Sequence, residues 1–228
     1  MSDPNAAKRA AAFAAANLVT SGMTVGFGSG STFLFVLERL AERMRTEGLK
    51  VHGVPTSSGT EAAARKHGIP LTTLDEVDVL DLAIDGADEI DRAKHMIKGG
   101  GAALLREKIV AAAAREMVVI VDEAKIVNVL GERFLLPVEV LPFGWKQTLR
   151  KVAATGCAPE LRRSKDGAAL VTDNGNHILD CRYAGIVDPA GLHTALAEIP
   201  GVVESGLFVG MAGRVFVGNA AGGVRMIP

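Results

Sequence analysis

The chain has 228 residues, 25 basic and 26 acidic side chains, a net charge of -1 and 48% hydrophobic residues. Such a composition excludes a disordered polymer, and the near-neutral balance argues against nucleic acid or an anionic membrane surface as the main partner. Glycine reaches 26 without a collagen-like period, where average usage gives roughly 16, so the surplus belongs to turns or to a site.

Alanine-rich residues 10–16, after Lys8 and Arg9, read as a packed N-terminal helix rather than a signal peptide. Residues 23–26 read as a strand. Phe33, Leu34, Val36, Leu37, Leu40 and Met44 then recur at helical spacing. Further strands are expected over 49–54, 79–84 and 117–121, with helices over 60–67 and 102–115. Strands alternating with helices predict a parallel sheet covered on both faces. Beyond about residue 130 the pattern changes. A strand over 137–141, a helix over 145–154, strands 168–173 and 177–183 around Asn174-Gly175, a helix over 189–198 and a strand over 202–208 follow one another. That order, β-α-β-β-α-β, is the ferredoxin-like one. The glycine-rich tail, 209–227, is expected to rejoin the first sheet.

In a parallel sheet, ligands bind beyond the carboxyl ends of the strands, so the motifs at those ends matter most. Gly26-Phe27-Gly28-Ser29-Gly30-Ser31-Thr32 joins the first strand to a helix whose free amides favour an anion. Ser31 stands where a dinucleotide fingerprint needs glycine, Thr56 where it needs an acid, and no Walker lysine is present. A phosphate monoester therefore fits better than a nucleotide. Thr56-Ser57-Ser58-Gly59-Thr60-Glu61 reads as an N-cap and as a second wall of the phosphate site. Asp85-Gly86-Ala87-Asp88 closes the strand 79–84 with carboxylates suited to sugar hydroxyls. Lys98-Gly99-Gly100-Gly101 offers an ammonium and backbone amides for an oxyanion, ahead of a helix carrying Glu107 about two turns in. Lys125 is a second cation after the strand 117–121. The five histidines lack metal-binding spacing, and Cys157 and Cys181 lack CxxC spacing. No metal and no cofactor is expected, and the thiols suit a reduced, cytoplasmic protein.

Taken in order, Gly-Phe-Gly-Ser-Gly-Ser-Thr, Asp-Gly-Ala-Asp-Glu, Lys-Gly-Gly-Gly-Ala-Ala-Leu-Leu-Arg-Glu-Lys-Ile, Val-Asp-Glu-Ala-Lys and Pro-Val-Glu-Val-Leu-Pro-Phe resemble the type A ribose-5-phosphate isomerases over nearly the whole chain. The resemblance implies an α/β fold, with a Rossmann-like parallel-sheet domain (1–130 plus 206–228) and a smaller ferredoxin-like α+β domain (131–205). It implies interconversion of D-ribose 5-phosphate and D-ribulose 5-phosphate without a cofactor, by a homodimer or homotetramer. Carried over, Glu107 is the base, Asp85 assists ring opening, and Asp88 holds hydroxyls near the reacting carbons. Lys98 with Gly99, Gly100 and Gly101 steadies the enediolate, while Gly86 and Ala87 line the substrate. Ser29, Gly30, Ser31, Thr32 and Lys125 hold the phosphate, with Lys8 a looser match. Ser29 replaces a common threonine and Ala124 a common serine. The rival reading is a non-catalytic sugar-phosphate sensor, expected to carry a DNA-binding segment and to dispense with Glu107 and Lys98. Acyl-CoA transfer at a glutamate is a further alternative.

Overall fold

The computed structural model describes residues 5–228. In chain order its elements are α1 (Ala6–Ala16), β1 (Thr24–Phe27), α2 (Phe33–Thr46), β2 (His52–Pro55), α3 (Ser58–Lys66), β3 (Leu82–Gly86), β4 (Glu89–Ile90), β5 (Met96–Ile97), α4 (Leu104–Ala112) and β6 (Met117–Asp122). They continue with β7 (Leu136–Val140), α5 (Trp145–Ala153), β8 (Ala158–Leu161), β9 (His177–Arg182), α6 (Pro189–Ala197), β10 (Val202–Ser205), β11 (Leu207–Phe208), β12 (Ala212–Gly218) and β13 (Val224–Ile227). The chain divides into two compact units: up to Ala87 with Arg106–Lys125 and Met211–Pro228, and Asp88–Leu105 with Ile126–Gly210.

The first unit is a parallel sheet in the order β2-β1-β3-β6-β12, with β13 antiparallel at its edge. From β1 the chain steps one way to β2 and the other way to β3. The strand order therefore reverses between β1 and β3, the topological switch point where such sheets bind ligands. Phe33, Val36, Leu37 and Leu40 form the buried stripe of α2 at helical spacing. They join Ala11, Ala12, Ala15 and Ala16 of α1 and Val25, Phe27, Ile84, Val118 and Ile120 of the strands in one core. Small residues let the backbones approach. A Cβ on Gly218 of β12 would lie 1.9 Å from the Ala7 carbonyl oxygen of α1, so the tail glycine serves packing.

The second unit contains a four-stranded antiparallel sheet, β10-β7-β9-β8, and a small three-stranded one, β11-β5-β4. In chain terms the larger sheet is 4-1-3-2 across β7-α5-β8-β9-α6-β10, the ferredoxin-like arrangement. Its core gathers Val138, Val140, Val152, Leu179, Cys181, Leu196 and Leu207. Residues 88–105, expected in the first domain, cluster with this unit.

The largest departure from expectation lies at Asn174-Gly175. The turn forms, with Gly175 at φ +80° and Thr172 N–H donating to the Asn176 carbonyl at 2.9 Å. Residues 168–173 are nevertheless not a strand of the sheet. The Thr172 hydroxyl and the Asn176 amide instead donate to the buried Glu139 carboxylate, each at 2.9 Å, and the edge of β9 is taken by β8. The strand expected over 202–208 is broken at Gly206, where a Cβ would lie 2.3 Å from the Lys98 carbonyl oxygen.

Candidate active site

In the first unit β1 ends at Phe27, and Gly28 N–H still donates to Ile84 O of β3 at 3.0 Å. The next residue turns away. A Cβ on Gly28 would stand 2.2 Å from Asp85 Oδ1, so glycine is required there to admit the Asp85 carboxylate. That carboxylate is 3% exposed. Its Oδ1 accepts the Ser29 N–H at 3.1 Å and the Gly86 N–H at 2.7 Å, which fix its direction at the end of β3.

Glu107 sits in the first turn of α4, nearer the helix start than the expected two turns in. The helix begins late because Ala102 adopts φ +61°, a left-handed conformation that no α-helix continues. Glu107, Val110 and Ala111 share one face at helical spacing, and that face packs on the sheet. A Cβ on Gly26 of β1 would lie 2.3 Å from Val110 Cγ1. Glu107 is 6% exposed. Glu107 and Asp85 line one narrow crevice with Gly26, Gly28, Thr56 and Met117, at the switch point of the sheet.

The loop beside this crevice is held by hydroxyls. Ser29 Oγ lies 2.9 Å from Thr56 Oγ1, 2.7 Å from Ser57 Oγ and 3.2 Å from Thr60 Oγ1. The loop after β2 is therefore bonded to the loop after β1, where the sequence suggested a second wall of a phosphate site. Gly30 takes φ +101° and α2 starts at Phe33 with no side-chain cap on its first turn. Amides at such a start are suited to an anion. Lys8 of α1 donates from Nζ to Ser31 Oγ at 3.1 Å, so the lysine that the sequence placed only loosely stands at the loop. Lys125 lies in a short 3-10 turn, Glu123–Lys125, after β6. Among the described residues no hydrogen bond joins it to residues 29–32. β6 is separated from β1 only by β3, a spacing of roughly 10 Å that a phosphate and a lysine side chain together can span.

In the second unit Asp88 accepts the Gly100 N–H on Oδ2 at 2.8 Å and donates its own N–H to Ile97 O. Gly100 is thereby tied to a carboxylate, where the sequence suggested an amide presented to an oxyanion. Lys98 is 3% exposed, and its Nζ lies 5.4 Å from the centre of the Phe208 ring, a cation–π distance. Gly99 has φ +104°. The residue that sequence reasoning missed is Arg162, which directly follows β8 and whose guanidinium reaches the Gly99 carbonyl at 2.9 Å. Among the described residues no three His, Cys, Asp or Glu side chains form a metal-binding group, and no helix is long and apolar enough to cross a membrane.

Comparison with known proteins gives one consistent result. Residues 52–222 match the family model of ribose 5-phosphate isomerase A (phosphoriboisomerase A). The chain is 50% identical over 219 residues to ribose-5-phosphate isomerase A 1 of Oceanobacillus iheyensis, covering 96% of this chain and 97% of the relative. It is 52% identical over 219 residues to the enzyme of Thermosynechococcus vestitus, covering 95% and 92%. Among solved structures, ribose 5-phosphate isomerase A of Methanocaldococcus jannaschii superposes with a TM-score of 0.92 at 41% identity, covering 96% and 97%. A D-ribose-5-phosphate isomerase in complex with phospho-erythronic acid superposes with a TM-score of 0.93 at 37% identity, covering 96% of each chain.

Proposed function

The chain belongs to the ribose 5-phosphate isomerase A family and interconverts D-ribose 5-phosphate and D-ribulose 5-phosphate; we propose that it does so through an enediolate, with the Glu107 carboxylate as the base. The observation that carries this assignment is the sharing of one crevice by Glu107 and Asp85 at the switch point of the sheet. A sensing role is not favoured, since the curated relatives are isomerases.

The phosphate is bound by Ser29, Gly30, Ser31 and Thr32 at the start of α2, with Lys8 and Lys125 supplying positive charge. Asp85, aimed by two amides, takes and returns the hydroxyl proton as the furanose ring opens to the aldehyde. Glu107 then removes the proton on C2, and the electron pair flows through C1 to leave an enediolate with its charge on O1. Lys98 and the glycine loop counter that charge. Asp88 holds the hydroxyls at the reacting carbons, and Gly86 and Ala87 line the substrate. The O2 proton passes to O1, and Glu107 returns its proton to C1, which yields the ketose. A positioned carboxylate contributes on the order of 10²–10⁴-fold to such a transfer, and the remote phosphate holds the reacting carbons in place. The phospho-erythronic acid found on a relative has the matching chemistry, a phosphate at one end and a planar carboxylate at the other.

The same reading includes a cytoplasmic location, supported by the free thiols Cys157 and Cys181, and a homodimer or homotetramer. Phe143, 94% exposed beside Leu141, is an apolar surface that a second copy would cover.

The test is isomerisation of ribose 5-phosphate in D₂O, following ribulose 5-phosphate and deuterium incorporation for wild type and Glu107→Gln. The wild type is expected to be active and the variant slowed by more than about 10²-fold. A variant with full activity would remove Glu107 from the role of base.

A further inference from the structure

Three successive glycines need something outside themselves to hold one conformation, because each is free to take many. The Ala102 N–H donates to the Gly99 carbonyl at 3.0 Å, and the carbonyls of Gly99 and Gly100 are held besides by a side chain 63 and 62 residues away in sequence. Arg162 directly follows β8, and its backbone is fixed on both sides: its N–H donates to Ile178 O at 2.8 Å and its carbonyl accepts the Leu170 N–H at 2.9 Å. Its Nε and Nη2 donate to Asp180 Oδ2 and Oδ1 at 2.8 and 2.5 Å. Two parallel bonds to one carboxylate lock the plane of the guanidinium. The remaining nitrogen, Nη1, donates to the carbonyls of Gly99 at 2.9 Å and Gly100 at 3.1 Å. The pair is largely buried, with side-chain exposures of 13% and 20%, whereas the surface pair Arg65–Glu61 stands at 67% and 45%.

The consequence follows from the planar trans peptide, in which C=O and N–H point in opposite directions. No peptide bond among the described residues is cis. Holding the Gly99 carbonyl on Arg162 therefore turns the Gly100 N–H away from it, and that N–H meets Asp88 Oδ2 at 2.8 Å. Holding the Gly100 carbonyl turns the Gly101 N–H away from Arg162 in the same manner. A cation on the carbonyl side also polarises both peptides and strengthens their N–H donors.

We infer that Arg162 is a positioning residue of the isomerase, acting through Asp180 to fix the peptide planes of Gly99 and Gly100, so that Asp88 and the Gly101 amide are set for the enediolate. The inference rests on the functional reading above, which places Asp88 and the glycine loop at the reacting carbons. The Arg162 guanidinium is engaged by Asp180 and the two carbonyls, so its role is to position rather than to react. The donors it aims matter most when negative charge develops, so its loss lowers kcat, while KM, governed by the phosphate loop of the other unit, stays nearly constant.

The experiment compares wild type, Arg162→Met, Arg162→Ala, Arg162→Lys and Glu107→Gln in the D₂O assay, with inhibition by phospho-erythronic acid and by inorganic phosphate measured for each. Arg162→Met is expected to lose about 10²-fold in kcat with KM within about threefold of wild type. It should bind phospho-erythronic acid about tenfold more weakly and inorganic phosphate as wild type does. Methylguanidinium added to Arg162→Ala should restore part of kcat, and should restore none in Glu107→Gln. Should the Met and Ala variants fail to fold, Arg162→Lys decides, because one ammonium cannot make the fork to Asp180 and hold both carbonyls. A Lys or Met variant with wild-type kcat overturns the inference, as does an equal loss of affinity for both inhibitors. An inert wild type instead ends the functional reading itself, so the two failures are distinguishable.

Discussion

Two glycine loops, one in each unit, are held in opposite ways. The loop after β1 is held by side chains: Ser29 Oγ lies within 3.2 Å of the hydroxyls of Thr56, Ser57 and Thr60, and Gly28 is shaped around the Asp85 carboxylate. The loop around Gly100 is held by its backbone: two carbonyls on Arg162, one of them also on the Ala102 N–H, and one N–H on Asp88. Tethering by side chains leaves the amides at the loop tip facing outward, which would suit a dianion bound from start to finish. Tethering by carbonyls orients peptide dipoles, which suits charge that exists only during the reaction. On the function proposed above, the difference separates binding from chemistry, and each half of it can be broken by mutation.

The strongest break in the first loop is Gly28→Ala. Its Cβ would overlap Asp85 Oδ1, Cγ and Cβ at 2.2, 2.3 and 2.6 Å, so the carboxylate must move and lose the Ser29 and Gly86 amides. A shift of about 1 Å in such a group costs on the order of 10²-fold. Steady-state assays should show that loss in kcat/KM, and denaturant unfolding should show a destabilisation of about 1–3 kcal/mol. Wild-type kinetics in Gly28→Ala would mean that Asp85 has no fixed role. Lys8→Met sharpens the contrast with Arg162. Lys8 reaches only Ser31 among the described contacts, at the proposed phosphate-binding end. Losing it should raise KM for ribose 5-phosphate about tenfold, or about 1.4 kcal/mol, and leave kcat nearly unchanged. A fall in kcat with constant KM would erase the division between the loops.

The same contrast explains what the sequence made legible. Around the first loop the candidate site atoms and the atoms that hold them lie in contiguous motifs: Gly28 to Thr32, Thr56 to Thr60, and Asp85 at a strand end. Their spacing, with the alternation of strands and helices, was enough to place them at one sheet edge. Glu107 stands in the first turn of its helix and not about two turns in, because nothing in Gly101-Ala102-Ala103 announces the left-handed Ala102 that delays the start. Arg162 was invisible because its partners are carbonyls, which every residue has. The strand that carries the chain to it, β8, contains Pro159, and a proline argues against a strand except at an edge. β8 is such an edge. The Asn174-Gly175 signal attracted the hairpin to the wrong partner, since the burial of Glu139, which draws Thr172 and Asn176 away from the ladder, is a tertiary fact.

Glycine content itself gives the smallest and cleanest test, because a site motif contains glycines that are needed and glycines that are not. Gly59 lies in the loop-to-helix motif beside Ser29, yet it is the second residue of α3, and a Cβ there would meet nothing closer than Ser57 Oγ at 3.9 Å. Its backbone is not in the left-handed region, so alanine fits without strain. Replacing glycine by alanine inside a helix removes freedom from the unfolded chain and favours the helix, by roughly 0.5–1 kcal/mol in a helix interior and less near the start. Gly59→Ala should therefore raise the unfolding midpoint in urea with an unchanged m-value, in the opposite direction to Gly28→Ala. Destabilisation would mean that Gly59, like Gly28, makes room for something that the present contacts do not include.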